Sequence, residues 1–296
     1  MKIRLISGSV YVALLIGFYL LKVLVHDVCF DVLLYAFALI GSFEMLRAMK
    51  DKITKTEKWI VLGFAVVCIP VCSIFEFYFQ TGLQMTAVLS FALTVALLTL
   101  LVFKHEETTM ENLSVALLSA IYPSVLLCVL VLVNHAPVLP ALTSVAFGSD
   151  LLILFVLVLS PISDSLAYVF GMLLRKKFPK KMAPTISPNK TVVGGIGGLV
   201  GGVLGAAALY FIYNAIAGSF ENMGLWLCVY LAIGLLAAVA TAFGDLVESC
   251  IKRKVGVKDM GKIMPGHGGV LDRIDGTMFA AVAVYLVFAL VRVFVA

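Results

Sequence analysis

The segment from Asp245 to Gly276, DLVESCIKRKVGVKDMGKIMPGHGGVLDRIDG, gathers acids, bases and a glycine-flanked histidine in an otherwise apolar chain. Asp272 and Asp275 stand three apart, so on a helix their carboxylates share one face. Asp245 lies across a basic loop from them. Carboxylates converging from two helices repel one another unless a cation lies between them. Hard oxygen ligands select magnesium, which shares one or two carboxylates with substrate phosphates. Lys252, Arg253, Lys258 and Arg273 offer the positive charge that phosphate oxygens need. His267 follows Pro265 and sits between Gly266 and Gly268, in a loop able to approach a ligand closely. No second His or Cys stands near it, so it reads as a phosphate contact or a brace for the loop rather than a metal ligand. Divalent metal plus phosphate is the chemistry this segment can do. The bland alternative is a solvated loop with ordinary salt bridges.

These groups must be held by a membrane protein. Of 296 residues, 62% are hydrophobic and only 13% charged, and the mean hydropathy is +1.10, which excludes an ordinary soluble domain. Apolar runs of about twenty residues predict an all-α, polytopic integral membrane protein with about nine transmembrane helices. They run roughly over 5–25, 28–47, 58–79, 85–103, 112–133, 149–174, 192–213, 224–247 and 270–292. The first follows Lys2 and Arg4 without a clean small-residue cleavage site, so it reads as a retained span rather than a signal peptide. If the N-terminus is cytoplasmic and the C-terminus outside, every basic residue except Lys22 and Arg292 falls in an inner segment, as the positive-inside rule requires. The formal net charge of +5 is then topological, and no nucleic acid is implied. This topology places loops 175–191 and 248–271 on the cytoplasmic side. Residues 1–140 would supply spans one to five, and residues 141–296 a catalytic region of spans six to nine.

Several polar features belong with the acidic segment. In the sixth span, Pro161 frees the carbonyl of Leu157 and predicts a kink. Ser160, Asp164 and Tyr168 then recur every four residues on one face. An intramembrane carboxylate such as Asp164 faces a polar cavity, a partner or an ion, or pairs with a lysine to fix packing. The following loop carries Ser187-Pro188-Asn189-Lys190-Thr191 just before a predicted helix start, where hydroxyls, an ammonium and the helix N-terminus suit phosphate oxygens. Its other lysines suit anionic headgroups. The run GGIGGLVGGVLG from Gly194 to Gly205 reads as a close-packing seam rather than a phosphate cradle. The stretch GVKDMGK from Gly256 to Lys262 approaches a Walker A motif, but Ile263 stands where Ser or Thr should be, so a P-loop is excluded. Cys29, Cys68, Cys72, Cys128, Cys228 and Cys250 lack zinc-ligand spacing and read as small buried hydrophobes. Glu44 and Glu76 are weaker site candidates near the ends of spans two and three.

At this point the residues resemble a family. Ser249, Lys252-Arg253, Lys258-Asp259, Gly261, Pro265 and His267-Gly268-Gly269-Val-Leu-Asp272-Arg273-Ile-Asp275 are similar to the signature of the phosphatidate cytidylyltransferases, or CDP-diacylglycerol synthases, most closely the bacterial type. Met264, where another large apolar residue is usual, is the one departure. The resemblance extends to Asp164 with Ala167-Tyr168 and to the SPNKT loop, and the nine-span plan covers the chain. It implies a reaction of CTP with phosphatidate at the cytoplasmic face of a bacterial inner membrane. It implies a catalytic set of Asp245, Asp272, Asp275, Lys252, Arg253, His267 and Arg273. Ser187, Asn189, Lys190, Thr191, Ser249, Lys258, Asp259, Gly268 and Gly269 would bind substrate. Magnesium would be held by Asp245, Asp272 and Asp275, with Asp164 completing a second cation site such as one for potassium. A homodimer is left open. The competing readings are an ion-coupled secondary transporter and a CTP-dependent lipid kinase of the polyprenol type. Transporters place their binding groups near the midplane within paired repeats, neither of which is found here, and the HGGxxDRxD pattern favours cytidylyl transfer over phosphorylation.

Overall fold

The computed structural model describes residues 2–139, 147–217 and 222–295, and among these nine helices are long and apolar enough to cross a membrane. They are α1 (Lys2–Leu24), α2 (Val28–Ala48), α3 (Lys55–Phe79), α4 (Gly82–Phe103), α5 (Met110–Asn134), α6 (Ser149–Leu174), α7 (Val192–Ala217), α8 (Met223–Val255) and α9 (Leu271–Val295). A two-stranded antiparallel hairpin, β1 (Lys181–Ala183) and β2 (Ser187–Thr191), precedes α7. The nine predicted spans are all present. The largest difference is at the end of α8, which runs eight residues past the predicted 247. Hydropathy stops at the polar DLVESCIKRK sequence, but Lys252, Arg253 and Lys254 lie in the last turn, where cations favour the helix dipole.

The chain divides into one unit of Met1–His135 with Val255–Ile274 and another of Ala136–Lys254 with Asp275–Ala296. The division predicted between residues 140 and 141 falls outside the described residues. In the first unit the core is built from α2, α3 and α5, with Phe30, Met45, Ala65, Ile69, Leu127 and Val131 all sealed from solvent. Helices α1 and α4 contribute few buried residues, as expected of faces turned to lipid. Capping boxes start two helices, Thr54 with Glu57 on α3 and Thr109 with Asn112 on α5. Glu76, considered above as a weak site candidate, instead caps α4 by accepting from the Gly82 N–H at 2.8 Å. Cys68, Cys72 and Cys128 are free and buried, with the Cys68 and Cys128 sulfurs 3.4 Å apart.

A buried polar network inside this core has no counterpart in the sequence reading. Asp31 on α2 takes His135 Nε2 at 2.6 Å and Asn134 Nδ2 at 2.8 Å, together with the Ser73 hydroxyl. Asn134 also donates to the Asp27 carbonyl at 2.9 Å. A carboxylate this deep persists only when donors surround it. Lys22, fully buried at its side chain, pairs with Asp27 at 2.6 Å and pins the tight hairpin between α1 and α2.

In the second unit the glycine run does what a packing seam does. A Cβ at Gly197 would lie 2.5 Å from the Phe170 side chain, and one at Gly201 3.0 Å from the Ile162 carbonyl, so α6 and α7 approach almost backbone to backbone. The other face of α7 meets α8 in the same way, since a Cβ at Gly202 would stand 2.4 Å from the Gly234 carbonyl oxygen. Helix α6 continues through Pro161. An aromatic cluster of Phe147, Phe155, Tyr210, Trp226 and Tyr230 fills the core.

Two stability predictions follow from this packing. Gly202→Val should lower the melting temperature of the detergent-solubilised protein, because the obstructing atom is backbone and cannot rotate away. Asp31→Ala should cost about 3 kcal/mol or more by leaving buried donors unmet. Thermal unfolding followed by size-exclusion chromatography measures both, and unchanged melting in either variant contradicts the packing described.

Candidate active site

The last turns of α8 present Asp245, Glu248, Ser249 and Lys252 at intervals of three and four, which places them along one helical stripe. Lys190 of β2 forms an ion pair with Asp245, and the Ser249 hydroxyl donates to Asp245 Oδ1 at 3.5 Å. Lys252 donates to Glu248 Oε2 at 2.6 Å. Asp275 on α9 lies within hydrogen-bonding reach of Glu248 and accepts from the Gly276 N–H at 2.8 Å. Glycines beside the two aspartates make this approach feasible. A Cβ at Gly244 would be 2.6 Å from the Asp275 carbonyl, and one at Gly276 2.8 Å from the Thr241 side chain. The pairs Gly244-Asp245 and Asp275-Gly276 therefore bring α8 and α9 into contact at the turns that carry the carboxylates.

The loop before α7 joins the same group. SPNKT lies just before a helix start, as the sequence indicates, and these residues form β2, paired with β1, immediately ahead of α7. Along β2 Asn189 is exposed and Thr191 is buried. Thr191 Oγ1 accepts from the Gly194 N–H at 3.1 Å, the bond of a helix N-cap. The Ile186 carbonyl accepts from Arg253 Nε at 3.3 Å, tying the hairpin to α8. Ser187 is half-buried at the start of β2. Asp164 and Tyr168 are exposed on α6, whereas Ser160, one turn earlier, is buried.

In the first unit, the loop leading into α9 is clamped by two buried carboxylates. Glu44 of α2 accepts from Val270 N–H at 3.1 Å and Leu271 N–H at 3.0 Å, satisfying the first donors of α9. Asp272 Oδ2 accepts from Met260 N–H at 2.9 Å and Gly269 N–H at 2.8 Å. Met264 and Gly268 exchange backbone bonds of 2.9 and 3.1 Å across the turn. Gly268 has φ of +92°, a conformation that side chains disfavour. Gly261 and Gly269 press so closely on the Glu44 carboxylate that no Cβ would fit at either. Ser7 of α1 lies 2.7 Å from His267 Nδ1 and donates to the Pro265 carbonyl at 3.0 Å. Lys258, Asp259 and Arg273 are exposed.

The structure thus brings Asp245, Ser249, Lys252, Asp275 and Lys190 together in one unit, and Asp272, His267, Gly268 and Gly269 together in the other. Two contributors, Glu248 and Ser7, were not singled out from the sequence, whereas Glu44 was a weaker site candidate there. Glu248 could have been found from its three- and four-residue spacing to Asp245 and Lys252. Ser7 carried no local signal, since its partners are 258 and 260 residues away.

Magnesium can be tested against these donors. Among the described residues no group of three or more His, Cys, Asp or Glu side chains forms a ready metal cage. Magnesium seldom requires one, because it keeps several waters and combines one or two carboxylates with substrate phosphate oxygens. Asp245, Glu248 and Asp275 are carboxylates of this kind, gathered with ammonium groups that favour phosphate, so the donor chemistry fits. Asp272 has one oxygen committed to two backbone N–H groups.

Comparison with known proteins covers the chain nearly end to end. The cytidylyltransferase family matches residues 2–291. A phosphatidate cytidylyltransferase of Bacillus subtilis (strain 168) is 32% identical over 291 residues, covering 98% of each chain. Proteins of the same name from Staphylococcus haemolyticus and Staphylococcus aureus (strain COL) are 41% identical over 127 residues and 44% identical over 128, each covering 43% of this chain and 45% of the relative.

The clamp on the loop makes its own prediction. Asp272→Asn retains an oxygen acceptor and should keep residues 256–270 resistant to limited proteolysis, whereas Asp272→Ala should expose them to rapid cleavage. Equal resistance in both variants would show that Asp272 does not hold the loop.

Proposed function

The chain belongs to the cytidylyltransferase family, and on that premise we propose that it transfers the cytidylyl group of CTP to phosphatidate, forming CDP-diacylglycerol and pyrophosphate. The observation that carries this reading is the acid–base cluster of Asp245, Glu248, Asp275, Lys190 and Lys252. It sits in a chain of membrane-spanning length and composition that matches a phosphatidate cytidylyltransferase over 98% of its residues.

In this reaction an oxygen of the lipid phosphate attacks the α-phosphorus of CTP, and the bond to the β-phosphate breaks. That oxygen is already anionic at neutral pH, so no protein nucleophile is required, and catalysis rests on alignment and charge neutralisation. Lys190, Lys252, Arg253, Lys258 and Arg273 hold phosphate oxygens. Ser187, Asn189, Thr191, Ser249, Asp259 and the Gly268-Gly269 backbone help place the substrates, although Thr191 also caps α7. Asp245 and Asp275 are the foremost magnesium ligands, with Asp272 and Asp164 as the further candidates and potassium as a second cation. Magnesium would supply Lewis-acid neutralisation of the triphosphate and its leaving pyrophosphate. The basic loops argue for an N-terminus and an active site in the cytoplasm of a bacterial cell with the C-terminus outside, and for residence in its inner membrane.

Purified protein incubated with labelled CTP, phosphatidate and magnesium should yield lipid-borne cytidine and released pyrophosphate. Phosphate transfer alone, or no product at all, would sink the assignment. Chelation by EDTA, or Asp275→Ala, should reduce turnover by at least about a hundredfold, and substantial activity after chelation would remove magnesium from the scheme.

A further inference from the structure

The α6 stripe of Ser160, Asp164 and Tyr168 runs from the inside of the second unit to its surface. Steps of four residues drift by about 40° around a helix, so the stripe turns as it advances. It starts buried, with Ser160 3% exposed, and ends open, with Tyr168 70% exposed. At the buried end α6, α8 and α9 meet, since a Cβ at Gly276 would lie 3.3 Å from the Ser160 hydroxyl oxygen and 2.8 Å from the Thr241 side chain. Helices α6 and α8 are separated by one crossing and therefore run in the same direction. One turn beyond that contact α8 presents Asp245 and α6 presents Asp164; a turn further α8 presents Ser249 and α6 presents Tyr168. Tyr168 thus stands at the level of the acid–base cluster, on the facing helix.

The packing on either side of Tyr168 fixes what it borders. A Cβ at Gly171 would be 3.4 Å from Thr191 Oγ1, and one at Gly194 would be 2.9 Å from the Ala167 carbonyl. The turn of α6 that carries Tyr168 is therefore pressed against the end of β2, where Lys190 pairs with Asp245. On the other side, Val169, Met172 and Leu173 are exposed apolar side chains of a membrane-spanning helix, and so face lipid. Tyr168 lies on the seam between a phosphate-seeking ion pair and the hydrocarbon. A ring that prefers apolar surroundings and a hydroxyl that needs a polar partner suit such a boundary. A tyrosine of the ordinary interfacial belt meets the same need with headgroups and water, but has no lysine–carboxylate pair beside it.

We propose that Tyr168 is a positioning residue for the lipid substrate, donating its phenol O–H to an oxygen of the lipid phosphate while its ring packs on the glycerol and the first acyl carbons. The apolar approach over Val169, Met172 and Leu173 suits a molecule that carries acyl chains, and offers a triphosphate nothing. A hydrogen bond to a charged phosphate oxygen is stronger than one between neutral groups, so the hydroxyl contributes to holding the lipid where Lys190 can reach it. The bond is made to the bound lipid and kept through the reaction, which makes it a contribution to binding rather than to the chemical step. The identity of the lipid as phosphatidate rests on the proposed cytidylyl transfer.

The experiment uses the full chain in mixed micelles, varying phosphatidate and CTP separately with the other saturating. Tyr168→Phe removes the hydroxyl alone and should raise the KM for phosphatidate about tenfold, leaving kcat and the KM for CTP unchanged. Tyr168→Ala, which also removes the ring, should raise the phosphatidate KM further. Because the side chain is exposed, both variants should melt with the wild type. Binding of phosphatidate without CTP, measured by native mass spectrometry, should weaken in the same order. An unchanged phosphatidate KM in Tyr168→Phe overturns the proposal, as does an effect confined to kcat or to the KM for CTP. Absence of cytidylyl transfer in the wild type counts against the reaction, and the binding comparison then decides the role of Tyr168 by itself.

Discussion

Glu44 ends four buried groups at once: its own two carboxylate oxygens and the N–H donors of Val270 and Leu271. Each would be costly to bury alone, the charge most of all. Satisfying them together requires the loop after α8 to return to one place on α2, with glycine at 261 and 269 because the carboxylate leaves no room for a side chain. Asp272 completes the constraint from the other direction, taking the N–H groups of Met260 and Gly269. The acidic character of this segment is therefore partly architectural.

The second unit solves a related problem by different means. Asp245, Glu248 and Asp275 approach because glycines at 244 and 276 let two helices touch, and the charge they gather is met by Lys190 and Lys252. Near a membrane the dielectric is low enough that unpaired carboxylates at this spacing would repel strongly. The lysines thus have a structural reason to be present before any substrate arrives. Their pairing also explains the β-hairpin, which carries Lys190 to α8 on a strand rather than on the first turn of a helix.

The spans, the glycine seam and the acidic segment were legible because each is written locally, in hydropathy, in four-residue spacing and in a contiguous motif. What was not legible depends on partners far along the chain. Asp31 looks like an isolated charge in an apolar run, yet its partners His135 and Asn134 lie more than a hundred residues on. Ser7 is an unremarked serine in a first span until Pro265 and His267 fold back to it. Glu248 is a different case, since its spacing was visible but the stronger motif around it drew the attention. The end of α8 was misplaced because hydropathy reports where hydrocarbon ends, whereas a helix continues as long as its capping charges permit.

The paired state of the lysines bears on selectivity. An anion competing for Lys190 or Lys252 must offer more than the carboxylate it displaces. A single carboxylate cannot, since it exchanges one charge-assisted bond for a similar one. A phosphate chain brings several charged oxygens and can bind a divalent cation at the same time, so it can engage a lysine while the freed aspartate or glutamate turns to the metal. The two exchanges favour one another, because each removes a charge that the other would leave bare. In the proposed reaction, a site built of such pairs would admit metal and polyphosphate together far more readily than either alone.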